Sequence, residues 1–138
     1  MTSAKVFFIV RVLAFFGTAL AVYILWQQLF HPAFQPCRIN STINCDAIIT
    51  GKVAKTAGIP TPLYGLAGYM VIFWAALRHK RNLLMTVSTA GLVFCLWIAY
   101  REIVELHVIC PVCILCQAIM ATIFVMSLIV SLNRGSTQ

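Results

Sequence analysis

Two cysteines, Cys110 and Cys113, carry the clearest chemical signal in the sequence. They flank Pro111 at the start of an apolar run, and proline favours the first position of a helix because its missing N–H needs no partner there. This spacing predicts that Cys110 caps a helix and that Cys113 follows one turn later on the same face, close enough for a disulfide. A helix N-terminus stabilises a thiolate, the form of cysteine that attacks disulfides. The pair is therefore expected to carry out thiol–disulfide exchange.

The composition indicates that a membrane protein positions these cysteines. Of the 138 residues, 62% are hydrophobic and only 9% are charged, which lies outside the range of soluble globular domains. A helix needs ~20 mostly apolar residues to cross the hydrocarbon core, because lipid offers no partner to exposed backbone groups. We predict an all-α membrane protein, a four-transmembrane-helix bundle. Its spans are Val6–Phe30, Pro62–Leu77, Leu83–Tyr100 (running on towards His107) and Pro111–Leu132.

The charged residues lie at the ends of these spans and predict the orientation. The net charge is +7, but the basic residues form no soluble patch, which argues against nucleic-acid binding. One end carries Lys5, Arg78, Lys80, Arg81 and Arg134, with Arg11 nearby. The other end carries Arg38, Lys52, Lys55 and Arg101 together with all three acidic residues, Asp46, Glu102 and Glu105. By the positive-inside rule, both termini and the Arg78–Arg81 turn are expected to be cytoplasmic.

The N-terminal run allows a second interpretation, as a cleavable signal peptide ending near Ala19-Leu20-Ala21. Two features favour an uncleaved span instead. Arg11 interrupts the apolar run, and the run then continues as far as Trp26.

The long connection His31–Thr61 contains a second cysteine pair, Cys37 and Cys45, and is expected to be extracytoplasmic. Disulfides form and persist in that compartment, unlike in the cytosol. Thr61 as cap and Pro62 as first helical residue are predicted to start the second span. A short interfacial helix is also predicted in this loop, because several residues share one helical arc. They are Cys45, Ile49, Val53, Ala54 and Ala57.

The cysteines could instead bind a metal ion or serve only the packing of the bundle. Cys110, Cys113 and Cys116 form a C-x2-C-x2-C run that a metal site could use, but the fourth cysteine of a ferredoxin and the histidine of a haem-attachment motif are missing. We expect no metal site. Cys95 and Cys116, deeper in their spans, are expected to pack as small hydrophobic side chains. Purely structural bridges would account for paired cysteines, but not for a dithiol at a helix start.

Several motifs together cover nearly the whole chain. Seven residues separate Cys37 from Cys45, Gly58-Ile59-Pro60 and Leu63-Tyr64-Gly65 precede or open the second span, and Leu106–Cys113 leads into the last. In order and spacing these motifs resemble the vitamin K epoxide reductase family in its small bacterial form. The resemblance implies that residues 1–138 form a single transmembrane domain of this family, which holds a quinone beside the second cysteine of the dithiol.

The resemblance also implies a path for electrons through the four surface-level cysteines. Cys37 resembles the loop cysteine that exchanges with a thioredoxin-like partner, and Cys45 resembles the one that relays to Cys110. Cys113 resembles the residue that faces the quinone. Each transfer is the attack of a thiolate on a neighbouring disulfide.

The resemblance further implies that Thr61, Tyr64 and Gln117 contact the quinone. The animal enzymes have Asn at the position of Thr61 and Tyr at that of Gln117, and Gly51 stands where the family usually has Ser. Thr and Gln side chains can still form a hydrogen bond to a quinone oxygen. The altered set of donors favours a respiratory quinone, ubiquinone or menaquinone, over vitamin K epoxide.

The expected activity is that of a quinone-dependent thiol oxidoreductase in the plasma (inner) membrane, which supports disulfide formation outside the cytoplasm. Many bacterial members carry a fused thioredoxin-like domain, whereas this sequence ends at Gln138. A separate Dsb-type thioredoxin-like protein is therefore the expected partner. Two alternatives are a quinone or quinone-epoxide reductase that uses the same cysteines, and a non-catalytic membrane scaffold braced by disulfides.

The orientation can be tested with topology reporters. A reporter fused after Lys80 should read cytoplasmic, because the basic turn resists translocation. A reporter inserted near Ser41 should read extracytoplasmic. The reverse pattern would place both cysteine pairs in a reducing compartment and would contradict the oxidase interpretation.

Overall fold

The computed structural model describes residues 2–30, 55–56, 58–107 and 111–135. Helix α1 spans Ser3–Phe30, α2 spans Thr61–Leu77, α3 spans Arg81–Arg101 and α4 spans Pro111–Gly135. A π-helical segment, Glu102–Leu106, directly continues α3. Two short strands, β1 (Lys55–Thr56) and β2 (Ile59–Pro60), pair antiparallel just before α2, with Lys55 opposite Pro60.

Among the described residues, three helical stretches are long and apolar enough to cross a membrane. They are Ser3–Phe30, Arg81–Glu105 and Pro111–Asn133, with mean hydropathies of 2.2, 1.9 and 2.5. The remaining helix, α2, is apolar but has only 17 residues. Large apolar side chains also cover the outer surface, where Phe15 is 64% exposed and Leu132 is 67% exposed. These findings confirm an all-α membrane protein, while the fourth crossing by α2 stays a prediction.

The predicted helix bounds agree closely with the observed ones. Helix α4 begins at Pro111, as predicted. Helix α2 begins at Thr61 with Pro60 in the cap position, so the expected role of Thr61 as cap was wrong by one residue. Pro62 still lies in the first turn of α2. Backbone N–H groups have no partner within the helix there, so the N–H that proline lacks costs no hydrogen bond. The predicted interfacial helix between the first two spans lies outside the described residues except at Lys55–Thr56. These two residues form strand β1 and not part of a helix.

The third span continues to the end of the π-helical segment, as its apolar run predicted. Each turn of a π-helix is one residue wider than an α-helical turn, because its hydrogen bonds join residues five apart. His107 follows in the left-handed conformation, with φ of 52°, and ends the helix. The segment therefore lies at the same end of the bundle as the start of α4.

Among the described helices, α1 and α2 make the most extensive contact. The buried residues of α1 recur every three or four positions and so form one face; they include Val6, Val10, Ala14, Gly17 and Ala21. A Cβ atom added to Gly17 would overlap the ring of Tyr69 on α2. Small residues permit this approach, on which helix association in lipid depends, since apolar burial alone drives little association there.

Polar side chains also join the helices, one pair between α3 and α4 and one group at the end of α1 and α2. The Ser88 and Ser127 hydroxyls lie 2.9 Å apart in the interface between α3 and α4. At the Arg78–Arg81 turn, the Arg11 guanidinium of α1 donates to the carbonyl oxygen of Ala76 at 3.1 Å and to Nε2 of His79 at 3.2 Å. The charge of Arg11 inside the first span is thus placed at the negative C-terminal end of α2.

The contact between Gly17 and Tyr69 predicts how a substitution at Gly17 changes the free energy of unfolding. We expect Gly17→Ala to lower the free energy of unfolding by about 1–3 kcal/mol, the usual cost of overpacking, measured by denaturation in detergent micelles. Gly68→Ala on α2 is the matched control, because a Cβ there meets no described atom within 4 Å. The control should be neutral or slightly stabilised, since Ala favours a helix over Gly. Equal stability of the two variants would contradict the close approach of α1 and α2.

Candidate functional site

A cavity of about 310 Å³ lies between the four helices, at the end of the bundle opposite the Arg78–Arg81 turn. Its wall is almost entirely apolar, with a few polar side chains, which is typical of small-molecule sites between helices. Each helix contributes to it. The lining includes Ala21, Ile24 and Gln28 from α1, Thr61, Tyr64 and Tyr69 from α2, Phe94, Cys95 and Ile98 from α3, Glu102 from the π-helical segment, and Cys113, Cys116 and Gln117 from α4.

Four of the residues predicted from the sequence line this one cavity. Cys113 lies in the first turn of α4, Gln117 lies one turn further along, and Thr61 and Tyr64 lie in the first turn of α2. The helix starts at Thr61 and Pro111 bring these side chains to the same level of the bundle. The other three predicted residues, Cys37, Cys45 and Cys110, lie outside the described residues.

Tyr64 and Phe94 line the α2 and α3 side of the cavity, and Trp97, which is not part of the lining, packs against Phe94. The ring centroids of Tyr64 and Phe94 are 5.6 Å apart, and those of Phe94 and Trp97 are 5.9 Å apart. These spacings are usual for packed aromatic pairs. Flat apolar faces therefore lie beside the polar groups of Tyr64 and Thr61.

Tyr69 connects the cavity to the helix packing. Its hydroxyl donates a hydrogen bond of 2.6 Å to the backbone carbonyl of Cys116 and so ties α2 to α4. Tyr69 is only 3% exposed, because the bare backbone at Gly17 leaves room for its ring. The relative position of Thr61 on α2 and Cys113 on α4 depends on this link.

Cys95 and Cys116 were expected to pack as small hydrophobic side chains, and Cys95 does pack against the core. Both also line the cavity. Three cysteines of the described residues, Cys95, Cys113 and Cys116, thus border one space. Within the residues that the structure describes, no group of three or more metal-ligating side chains comes together.

Glu102 is a site residue that the sequence reasoning missed. It was counted only as one of the acidic residues at the end expected to be extracytoplasmic, yet it is 3% exposed and lines the cavity. The Cys113 thiol lies within hydrogen-bonding reach of its carboxylate. The signal was present in the sequence: Cys95, Ile98 and Glu102 are spaced three and four residues apart, so a helix running on towards His107 puts them on one face.

The surroundings of Glu102 differ from those of its neighbour Glu105. Arg101 forms an ion pair of 2.8 Å with Glu105 on the outer surface and lies over the ring of Trp97. In the described part of the chain, no basic side chain pairs with Glu102, and its Oε1 atom is buried without a hydrogen-bond partner. Burying an ionised carboxyl is costly without such partners.

Comparison with known proteins identifies the family. A search of curated protein sequences gives no match. The sequence matches the family described as the vitamin K epoxide reductase family over residues 8–128. That match covers most of the chain, including both cysteine pairs and the cavity-lining parts of all four helices. The chain therefore belongs to the vitamin K epoxide reductase family, as its motifs predicted, and is a multi-pass membrane oxidoreductase of this quinone-associated family.

Proposed function

We propose that this protein is a thiol:quinone oxidoreductase that supports disulfide formation outside the cytoplasm. Electrons pass from a thioredoxin-like protein to the loop pair, Cys37 and Cys45, then to Cys110 and Cys113, and finally to a membrane quinone. The quinone is ubiquinone or menaquinone, and the redox partner is a separate Dsb-type protein.

One observation carries this proposal. Cys113, in the first turn of α4, lines an apolar cavity that is also lined by Thr61, Tyr64 and Gln117. A thiol that lines a mostly apolar cavity suits exchange with an apolar acceptor better than with a soluble one. The first turn of a helix also favours the thiolate form of Cys113.

The cavity fits a quinone ring in size and chemistry. Its volume of about 310 Å³ lies at the lower end of the usual range for small-molecule sites. Tyr64 and Phe94 provide aromatic faces, while the Thr61 hydroxyl and the Gln117 amide can hydrogen-bond to carbonyl oxygens. A bound quinone would supply the capacity to accept two electrons and two protons.

The cysteines act in sequence by thiolate attack on disulfides. A thiol of the partner protein attacks the Cys37–Cys45 disulfide and releases Cys45 as a thiolate. The Cys45 thiolate attacks the Cys110–Cys113 disulfide at Cys110, because Cys110 precedes α4 in the sequence whereas Cys113 lies within the first turn and lines the cavity. The Cys113 thiolate is then released towards the cavity.

The proposal includes an orientation in the membrane. Helix α2 crosses the membrane as the second of four spans. Both termini and the Arg78–Arg81 turn are cytoplasmic. The loop with Cys37 and Cys45 faces the extracytoplasmic side of the plasma (inner) membrane. Two facts support it. Arg11 makes its contacts at the basic turn, and the cavity lies at the opposite end of the bundle.

A cysteine substitution tests the order of transfer. We expect Cys113→Ser to abolish quinone reduction by a reduced thioredoxin-like protein and to accumulate a Cys45–Cys110 disulfide, because no thiol remains to displace that bridge. Quinone absorbance gives the rate, and non-reducing gels with peptide mapping identify the bridge.

The matched control is Cys116→Ala, one turn deeper in the same cavity. It should retain turnover, because the proposed relay does not use Cys116. Loss of turnover in a folded Cys116→Ala protein would add this cysteine to the mechanism. A partner protein trapped directly on Cys110 in Cys113→Ser would show that the loop pair is not an obligatory relay. Unchanged turnover in Cys113→Ser would contradict the role of Cys113, whereas absence of turnover in the wild type would favour a non-catalytic scaffold.

A further inference from the structure

The carboxyl group of Glu102 has no role in the cysteine relay. It is 3% exposed, although it lies within a stretch, Arg81–Glu105, that is apolar enough to cross a membrane. Ionisable residues at such positions are rare and usually functional, because their burial in lipid-facing bundles is costly. The burial of Glu102 therefore needs a physical reason, whereas its neighbour Glu105 lies on the outer surface beside Arg101.

The backbone turns Glu102 inward. It opens the π-helical segment Glu102–Leu106, and single π-turns within helices are frequent at functional sites. Glu102 lies on the cavity face with Cys95 and Ile98, whereas the side chain of Glu105 is 42% exposed. The two glutamates of this segment thus face an apolar cavity and the outer surface, respectively.

The immediate partner of Glu102 is the reactive thiol. Cys113 on α4 lies within hydrogen-bonding reach of the carboxyl group, and the buried Oε1 atom has no partner among the described residues. The other titratable side chains that line the cavity carry no positive charge. They are Tyr64 and Tyr69 from α2, Cys95 from α3 and Cys116 from α4. Within the described part of the chain, Glu102 is the carboxylate within reach of a proton that leaves Cys113.

We propose that Glu102 is a catalytic residue that holds the proton of the reduced Cys113. In the reduced protein Cys113 is a thiolate and Glu102 is a carboxylic acid that donates a hydrogen bond to it. This inference rests on the proposed function, because it assigns a carrier for one of the protons that quinone reduction consumes.

The step balances in electrons and protons. When the Cys113 thiolate and the Cys110 thiol form their disulfide, two electrons leave the sulfur atoms. One proton leaves Cys110 and one leaves Glu102, so that the quinone gains two electrons and two protons and becomes the quinol. Glu102 is left as a carboxylate, ready to take up a proton when the disulfide is next reduced.

A purely structural role for Glu102 makes a different prediction. If the hydrogen bond of Glu102 only joins the π-helical segment to α4, the carboxyl group of Glu102 keeps the same protonation state through the redox cycle. Glutamine has nearly the same shape and retains hydrogen-bonding atoms, but it cannot carry a proton. Glu102→Gln therefore separates proton transfer from bracing.

The test is infrared difference spectroscopy of the full-length protein, comparing the form reduced by a phosphine with the disulfide form, without quinone. The chain has only three acidic side chains, so a carboxyl band can be assigned by substitution. We expect the band of a protonated carboxyl group to be gained on reduction and lost on oxidation. It should be absent in Glu102→Gln and present in the matched control Glu105→Gln.

Thiolate absorbance and turnover give two further readouts. The ultraviolet absorbance of the thiolate in the reduced protein should fall in Glu102→Gln. Quinone reduction should fall about 100-fold or more, the usual contribution of a general acid or base, with partial recovery in Glu102→Asp. If Glu102→Gln does not fold, Glu102→Asp provides the assignment instead, because it should shift the frequency of the band.

The outcomes separate this proposal from the proposed function. Absence of the protonated band in the wild type, its persistence in Glu102→Gln, or quinone reduction within twofold of wild type in Glu102→Gln would overturn the role of Glu102 and leave the oxidoreductase proposal standing. Failure of the wild type to reduce quinone would overturn the proposed function, while the infrared band would still decide whether Glu102 takes the proton of Cys113.

Discussion

The hydrogen bond from the Tyr69 hydroxyl to the backbone carbonyl of Cys116 is the contact on which the cavity depends. It fixes α2 against α4 and so sets the separation of the side chains that line the two walls. It forms because Gly17 lets the ring of Tyr69 lie against the backbone of α1. In lipid, where burying apolar surface between helices gains little, such close packing and internal hydrogen bonds supply the specificity of the bundle.

Polar groups divide the bundle into two ends with different chemistry. Arg11 and His79 lie at the basic turn, where the guanidinium is bound to the C-terminal carbonyl of Ala76. Glu102 and Cys113 lie at the other end, beside an apolar cavity without a paired cation among the described residues. The first arrangement binds a cation, whereas the second buries a carboxyl group beside a thiol and so suits the proton transfer proposed for Glu102. In the proposed function, orientation in the membrane and redox chemistry thus depend on separate groups.

Much of the fold and part of the site could be predicted from the sequence. The apolar runs and the proline residues located the helices. The spacing of the dithiol indicated Cys113, and the family resemblance implied Thr61, Tyr64 and Gln117; all four line one cavity. Glu102 was missed because charges near the span ends were counted only for orientation. The contact of Gly17 with Tyr69 could not be predicted, because periodicity shows which face of a helix is buried but not which helix covers it. The roles of the loop cysteines stay predictions.

Photoaffinity labelling with an azido-quinone tests the central claim, that this cavity binds the quinone beside Cys113. Labelled peptides of the membrane-embedded protein would be mapped by mass spectrometry, with and without excess ubiquinone or menaquinone. We predict labels on cavity-facing residues of α2 and α4, around Tyr64 and Gln117, that excess quinone prevents. Labels confined to outward-facing residues such as Phe15 and Leu132, unaffected by excess quinone, would contradict the account.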